Sequence, residues 1–300
     1  MPDRGRPLRF GSFLTPDATR PQETLRLARL ADDLGLDLIG VQDHPYQSRF
    51  LDTWTLLSVI AARTERVTVF PDVANLPLRS PALLAKAAAS LDRLTGGRVE
   101  LGLGAGAFPE GIAAMGGTAR RRGEAMSALE EAIGLVRLVW SGRRGVRFEG
   151  RFYRLRGLHT GPTPAHPMGI WLGTYGPRGL AITGRLADGW VPSSPYAPPE
   201  ALGELQRRID EAALAVGRDP AAITRVYNVF GHIGGNRSGP FEGPVAQWVE
   251  RLTQLALDQG MDSFLLGVDR DVEAQLHLLA EEVAPQVRQA VDRARAHGRA

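Results

Sequence analysis

The groups in this chain able to do chemistry are a few histidines, carboxylates and glycine-rich turns, and they recur at the ends of apolar runs. Gln42-Asp43-His44-Pro45-Tyr46 follows one such run. An imidazole titrates near neutrality, so His44 can exchange a proton with a bound molecule, and Asp43 can accept a hydrogen bond from a ring N–H. The same two residues also fit a capping aspartate beside a packed histidine. Gly173-Thr174-Tyr175-Gly176-Pro177-Arg178-Gly179 stands after another run. A Gly-Pro pair opening a helix leaves free N–H groups and the positive end of the helix dipole directed at a ligand, a phosphate site to which Arg178 and the Thr174 hydroxyl would add donors. A plain strand-to-helix turn fits those residues too. Gly102-Leu103-Gly104-Ala105-Gly106-Ala107 matches the dinucleotide fingerprint G-x-G-x-x-A, but Phe108-Pro109-Glu110-Gly111 follows where an apolar helix should open. His159, His166, His232, His277 and His297 show neither His-x-His nor HExxH spacing, so no metal is expected. Lys86, the single lysine, leaves a Schiff-base aldolase one amine, on a predicted helix facing away from the strand ends.

These residues must be held by the elements between them. Short β-rich runs are predicted at 8–14, 36–42, 67–73, 99–104, 170–173, 189–192, 223–230 and 263–268, separated by amphipathic helices such as 53–63, 81–94 and 121–140, with a last helix over 272–296. Runs apolar on both faces suit parallel strands covered by helices. Strand–helix alternation throughout predicts an α/β fold, a (β/α)8 TIM barrel in preference to an open doubly wound sheet, as one domain over residues 1–300. Two segments interrupt it: 142–168 alternates like a hairpin (VRFEGRFYRL) before a Pro-rich connection, and 231–244 is glycine-rich and polar, as a lid loop would be. In a barrel the chemistry sits at the carboxyl ends of the strands, where the residues above fall.

Composition removes several function classes. The 300 residues carry 36 basic and 33 acidic side chains, a net charge of +3. The arginines are scattered among acids; the densest basic stretch, Arg143 to Arg156 with Phe148, Phe152 and Tyr153 interleaved, reads as a solvated face or a contact for an anionic cofactor tail rather than a nucleic-acid surface. Cysteine is absent, which excludes disulfides and thiolate chemistry. No run is long enough to span a membrane, and the first residues lack a secretory h-region, so a cytoplasmic location is expected.

From about Leu8 to Val268 the chain resembles the bacterial-luciferase-like flavin and deazaflavin oxidoreductases, and most of all their coenzyme F420-dependent branch. The resemblance rests on Asp43-His44, on PALLAKAAASLDRLTGGRVELGLGAG at 81–106 and on GPRGLAITGRLADGW at 176–190. It implies a luciferase-like barrel with an insertion, a homodimer, and hydride transfer to or from F420 with a reductase as functional partner. FMN-dependent oxygenation and a non-catalytic flavin-binding barrel are the alternatives. It further implies a catalytic His44 with Asp43 beside the cofactor, a non-prolyl cis peptide at Asp72-Val73, and cofactor contacts at Ala105, Gly106, Gly173, Thr174, Tyr175, Gly176 and Pro177. Phe13, Tyr46, Phe108 and Trp190 are expected as substrate walls. Where the branch's sugar-phosphate dehydrogenases place a glutamate and a lysine, this chain has Ala107 and Tyr196, which argues against a sugar-phosphate substrate.

Overall fold

A computed structural model describes residues 3–234 and 239–297. Along the chain lie β1 (Arg9–Leu14), α1 (Pro21–Asp33), β2 (Leu38–Val41), α2 (Thr53–Arg63), β3 (Thr68–Pro71), α3 (Pro81–Thr95), β4 (Leu101–Gly104), α4 (Arg122–Trp140), β5 (Ile170–Leu172), α5 (Pro177–Leu186), β6 (Gly189–Trp190), α6 (Leu202–Leu214), β7 (Thr224–Phe230), α7 (Val245–Gln259), β8 (Ser263–Gly267) and α8 (Ala284–His297). Proline opens α1, α3 and α5, where a missing N–H costs nothing. Asp52 caps α2 by accepting from Thr55 N at 2.9 Å, and left-handed Gly96 and Gly260 close α3 and α7.

Every pairing among these eight strands is parallel, in the order β3-β2-β1-β8-β7-β6-β5-β4. The chain of β3 meets β4 again through Ala74–Asn75 and a bridge between Val69 and Val99, so the sheet closes into the expected barrel. Val146–Glu149 and Arg154–Leu158 form the antiparallel hairpin expected within 142–168. The last predicted helix departs from regularity: Val272–His277 passes through a π-helical turn, Leu278–Val283, before α8.

Period-two alternation decides which strand residues see the barrel axis. Ile39, Val41, Val69, Leu101, Leu103, Ile170, Leu172, Trp190, Tyr227, Phe264 and Leu266 belong to the larger core, between sheet and helices. Leu38, Phe70, Trp171, Val191, Val226 and Leu265 form a separate cluster inside the barrel, with Phe13 packed on it. One step further toward the carboxyl ends, that inner face carries Gly40, Asp72, Gly104, Gly173, Asn228 and Gly267. Toward the amino ends of the strands, ion pairs tie the outer layer together: Arg4 and the fully buried Arg225 share Asp210 of α6 at 2.9 and 2.6 Å, and Arg295 of α8 holds Asp3 at 2.6 Å.

The Asp72–Val73 peptide is cis, as the resemblance implied. Val73 nests in space left by three glycines: a methyl on Gly104 would stand 2.7 Å from it, and methyls on Gly102 and Gly173 would each stand 3.1 Å away. Gly102 is tighter still, since its methyl would fall 2.0 Å from the Pro71 carbonyl oxygen. Backbone must move to admit it, so Gly102→Ala is expected to lose on the order of 1–3 kcal/mol in denaturant unfolding. Wild-type stability in that variant would contradict the nesting.

Candidate active site

The loop after β2 brings His44 to the barrel mouth. Its Nδ1 lies 2.8 Å from the Tyr46 hydroxyl, and the Tyr46 ring meets Phe108 edge-on at 5.2 Å. Half-burial pulls the imidazole below its usual 6.5, and the charge of Asp43 offsets this only in part, so His44 is neutral at physiological pH. Burial likewise raises the Tyr46 phenol. A neutral imidazole held at Nδ1 keeps Nε2 for a substrate.

Asp43 stands where expected and is engaged differently. Its Oδ2 accepts from Asn75 N at 2.8 Å and from Arg79 Nε at 2.7 Å, while Oδ1 accepts from Arg79 Nη2 at 2.7 Å. The carboxylate is fully buried. Arg79 Nη2 also reaches Asp52 Oδ2 at 2.6 Å, so one guanidinium ties the loop after β2 to the loop after β3 and to the start of α2. Asp43 is therefore a strut beneath His44, not an exposed acceptor for a ring N–H. Sequence spacing singled out Asp43 but not Arg79, its counter-charge 36 residues on.

Across the barrel, three strands from β2, the segment after β5 forms a cradle. Gly176 is extended at φ −79° and caps α5 without a side-chain bond, leaving the first N–H groups of the helix unmatched. Gly176, Pro177 and Arg178 are exposed, and a methyl on Gly176 would meet nothing. The Thr174 hydroxyl does not join them: it lies 2.8 Å from Thr183 Oγ1, whose own proton goes to Gly179 O, so Thr174 donates into the helix packing. Arg178 is turned away as well, onto Gly123 O and Ser127 Oγ at the start of α4. Only backbone is left to receive an anion. Tyr175 is largely buried, which raises its phenol, and its oxygen accepts from Ser193 N at 3.1 Å.

Trp190, expected as a substrate wall, is fully buried between sheet and helices and donates to Thr174 O at 2.8 Å. It supports the cradle from behind. The mouth is walled instead by Phe13 against Phe230, 5.1 Å apart, and by Tyr46 with Phe108. Phe230 was missed, although two-residue alternation from the inward Val226 reaches it. Gly106, at φ +90°, passes so close to Pro77 and Ile112 that a methyl would stand 2.7 and 2.8 Å from them, and Ala105 beside it is part-buried. The chain then runs to Phe108 before the short helix Pro109–Ala114, so the glycines of β4 open no dinucleotide-binding helix. The aromatics of the basic hairpin are covered by arginines: Arg120, from the segment before α4, lies over Phe152 and Tyr153, and Arg151 over Phe152. Lys86 lies on α3 and donates to Gly161 O, away from the strand ends. Of the expected lid, residues 235–238 lie outside the described residues; His232–Ile233 pairs with Glu242–Gly243, and Phe241 is buried on Trp248.

Among the described residues three buried acceptors at the mouth lack a donor: Asp72 Oδ2, Asn75 Oδ1 and Asn228 Oδ1. Orphaned acceptors, a backbone cradle for an anion and a glycine floor together suit a flat heterocycle that carries N–H groups and a phosphate-bearing tail.

A profile of the luciferase-like monooxygenases matches residues 7–294. The F420-dependent glucose-6-phosphate dehydrogenase of Kineococcus radiotolerans is 31% identical over 234 residues, covering 75% of this chain and 68% of that one. The enzyme of that name from Nakamurella multipartita is 31% identical over 204 residues, covering 64% of this chain; the match spans only 58% of that relative's length. Among solved structures, an F420-dependent secondary alcohol dehydrogenase in complex with an F420-acetone adduct superposes with a TM-score of 0.83 at 19% identity, covering 94% of this chain and 99% of the other. At that identity the likeness establishes the fold. Removing Arg79's charge (Arg79→Met) leaves Asp43 buried without a counter-ion, and about 3–5 kcal/mol of stability should go with it. Equal thermal unfolding of variant and wild type would contradict the strut.

Proposed function

The chain belongs to the luciferase-like monooxygenase family, and from that premise we propose that it is a coenzyme F420-dependent oxidoreductase moving a hydride between the deazaflavin and a small organic substrate. The observation that carries the reading is the backbone cradle at Gly173–Gly179 standing across a glycine-floored mouth from a neutral, half-buried His44. Relatives about 30% identical that are named as F420-dependent dehydrogenases support it. When bound, a deazaflavin, with carbon in place of N5, supplies two-electron hydride transfer. The unmatched N–H groups of Arg178 and Gly179 would hold its phosphate, and the orphaned oxygens of Asn75 and Asn228 its N–H edge.

The residues of this chain then divide the remaining work. With Nδ1–H donating to the Tyr46 oxygen, His44 Nε2 is a base that accepts an alcohol's hydroxyl proton as hydride leaves the carbon; in the reverse direction it returns that proton to a ketone. The Asp43–Arg79 pair fixes the loop on which His44 rides. Phe13, Phe230, Tyr46 and Phe108 bound an apolar space, which favours a partly apolar alcohol or carbonyl compound. A sugar phosphate is disfavoured: Ala107 offers no charge, Tyr196 no cation, and the single lysine is engaged elsewhere. An FMN-dependent monooxygenase is the second reading, favoured by the family's own description. The hydride reading further implies a cytoplasmic enzyme served by a reductase that recycles the deazaflavin.

Titrating the apo-protein with F420 and with FMN, followed by cofactor fluorescence, separates the two readings. Saturable deazaflavin binding with weak FMN binding is expected, and the reverse preference would move the chain to the monooxygenases. His44→Asn should lower kcat by about 10²–10⁴-fold while cofactor affinity stays near wild type; unchanged turnover would remove His44 from the mechanism. We also infer a homodimer through the outer faces of α2 and α3, where Val59 and Leu83 stand exposed. Light scattering should give twice the chain mass, and Leu83→Glu half of it; a wild-type monomer would refute the pairing.

A further inference from the structure

Arginines on α1 and α6 find acids within a turn: Arg26 pairs with Glu23, Arg29 with Asp33, and Arg207 and Arg208 both with Glu204. The start of α4 departs from this. Arg120, Arg121 and Arg122 follow one another there, and among the described residues none of the three has a carboxylate partner. Arg121 and Arg122 are exposed, and Arg120 lies over the Phe152 and Tyr153 rings at 5.5 and 5.7 Å. The acids of α4 and of the hairpin are already engaged. Glu124 is held by Arg151 at 2.8 Å, Glu130 by Arg185 at 2.8 Å and Glu149 by Arg154 at 3.5 Å, while Glu131 accepts from the backbone N–H groups of Arg151 and Phe152.

These charges stand beside the cradle. Arg178, the second residue of α5, donates to Gly123 O at 2.8 Å and to Ser127 Oγ at 2.7 Å, and a methyl on Gly179 would stand 3.6 Å from Met126 Sδ. The first turns of α4 and α5 are therefore packed together. The bend that takes the Arg178 side chain away from the cradle amides carries its charge onto the start of α4, where it meets only neutral acceptors. Four guanidinium groups without a carboxylate are gathered there, outside the amides of α5. Cations favour the other end of a helix, and serine or aspartate would start α4 better than Arg121, whose side chain makes no capping bond. Exposed Arg121 and Arg122 oppose that local rule with no return in packing, as residues that serve a ligand do.

We propose that this arginine cluster receives a chain of carboxylates running on from an anion seated in the cradle. The inference rests on the deazaflavin reading, because F420 carries glutamyl carboxylates beyond its phosphate whereas FMN ends at the phosphate. The phosphate stays on the backbone of α5, and the carboxylates pass Arg178 to Arg121 and Arg122, with Arg120 braced against the hairpin. The cluster thus favours a cofactor with a polyanionic tail over one that stops short, and adds electrostatic steering toward the mouth. It also moves the basic contact away from the stretch that the sequence singles out. Arg151 and Arg154 are held by Glu124 and Glu149, and Arg143 and Arg144 lie past the far end of the 19-residue α4, about 28 Å from its start.

The test measures Kd by cofactor fluorescence for F420 and for F420 stripped of its glutamyl chain, at about 0.05 M and about 0.5 M NaCl. In wild type the chain should tighten binding by about three- to thirtyfold at low salt, as two or three exposed ion pairs would. Screening should cut that ratio below about twofold at high salt. Arg121→Ser combined with Arg122→Gln should abolish the ratio at low salt and bind the stripped cofactor as wild type does. Serine suits a helix start, and matching thermal unfolding confirms that this variant is folded. Arg143→Gln combined with Arg144→Gln, the same loss of charge at the other end of α4, should keep the wild-type ratio. Equal Kd values for the two cofactors in wild type, or a ratio untouched in the first variant, would overturn the tail contact and leave the cofactor reading standing. A ratio lowered alike in both variants would overturn it too, since net charge would then be acting at a distance. If wild type binds neither form of F420, the cofactor reading fails and this inference falls with it.

Discussion

A carbonyl oxygen at Pro71 lies 2.0 Å from where any side-chain carbon on Gly102 would stand, and the architecture of the mouth follows from that lack of room. The chain leaving β3 turns inward here, and it can do so only because the adjoining strands present glycine to it. Gly102 and Gly104 on β4 and Gly173 after β5 make the space that Val73 fills, and Gly40 on β2 makes the space that Asp72 enters. Larger residues at those positions would restore a filled barrel end like the one two residues deeper, where Phe70, Trp171 and Leu265 pack. Absent side chains thus create the floor of the site.

Charge then fixes what sterics opens. The loops after β2 and β3 carry the groups most able to act on a ligand, and a loop left to itself would not hold them in register. Arg79 binds two carboxylates at 2.6–2.7 Å, one buried under His44 and one at the start of α2, and so converts two loops into a single rigid unit. On the far side no charge is used: Thr174, Thr183 and Trp190 hold the cradle from behind, and its anion-binding capacity is the backbone of α5 alone. On the proposed reading the mouth is asymmetric, with a proton-handling edge at His44, an anion-binding edge at Gly176, and Asp72 and Asn228 in the floor.

Much of this was legible in the chain itself. Eight runs apolar on both faces, separated by helical patterns, specify parallel strands covered by helices, a pattern that a barrel shares with an open doubly wound sheet. His44 and the Gly-Pro turn were legible because strand ends are where a barrel does chemistry. Strand register and long-range partners were not legible. Which face a strand residue takes depends on its register against neighbours, and a strand apolar on both faces hides that register. Trp190 was assigned to the mouth, yet Gly189 is the residue turned to the axis, where a methyl would strike Trp171 at 2.4 Å, and Trp190 must point outward. Thr174 was assigned to the phosphate, yet its hydroxyl is claimed by a threonine nine residues on. The ion pair of Asp43 with Arg79 was not legible, because that counter-charge lies in another loop, beyond the range of any local motif.

The proposed cofactor site places a deazaflavin ring on the glycine floor between His44 and the α5 cradle, and a crystal structure of the F420 complex tests that placement most directly. The ring is expected against Val73, its phosphate on the N–H groups of Arg178 and Gly179, and its reacting carbon open toward His44 Nε2. A ring bound outside the strand ends, or a phosphate held by arginine side chains with the α5 amides unused, would contradict it.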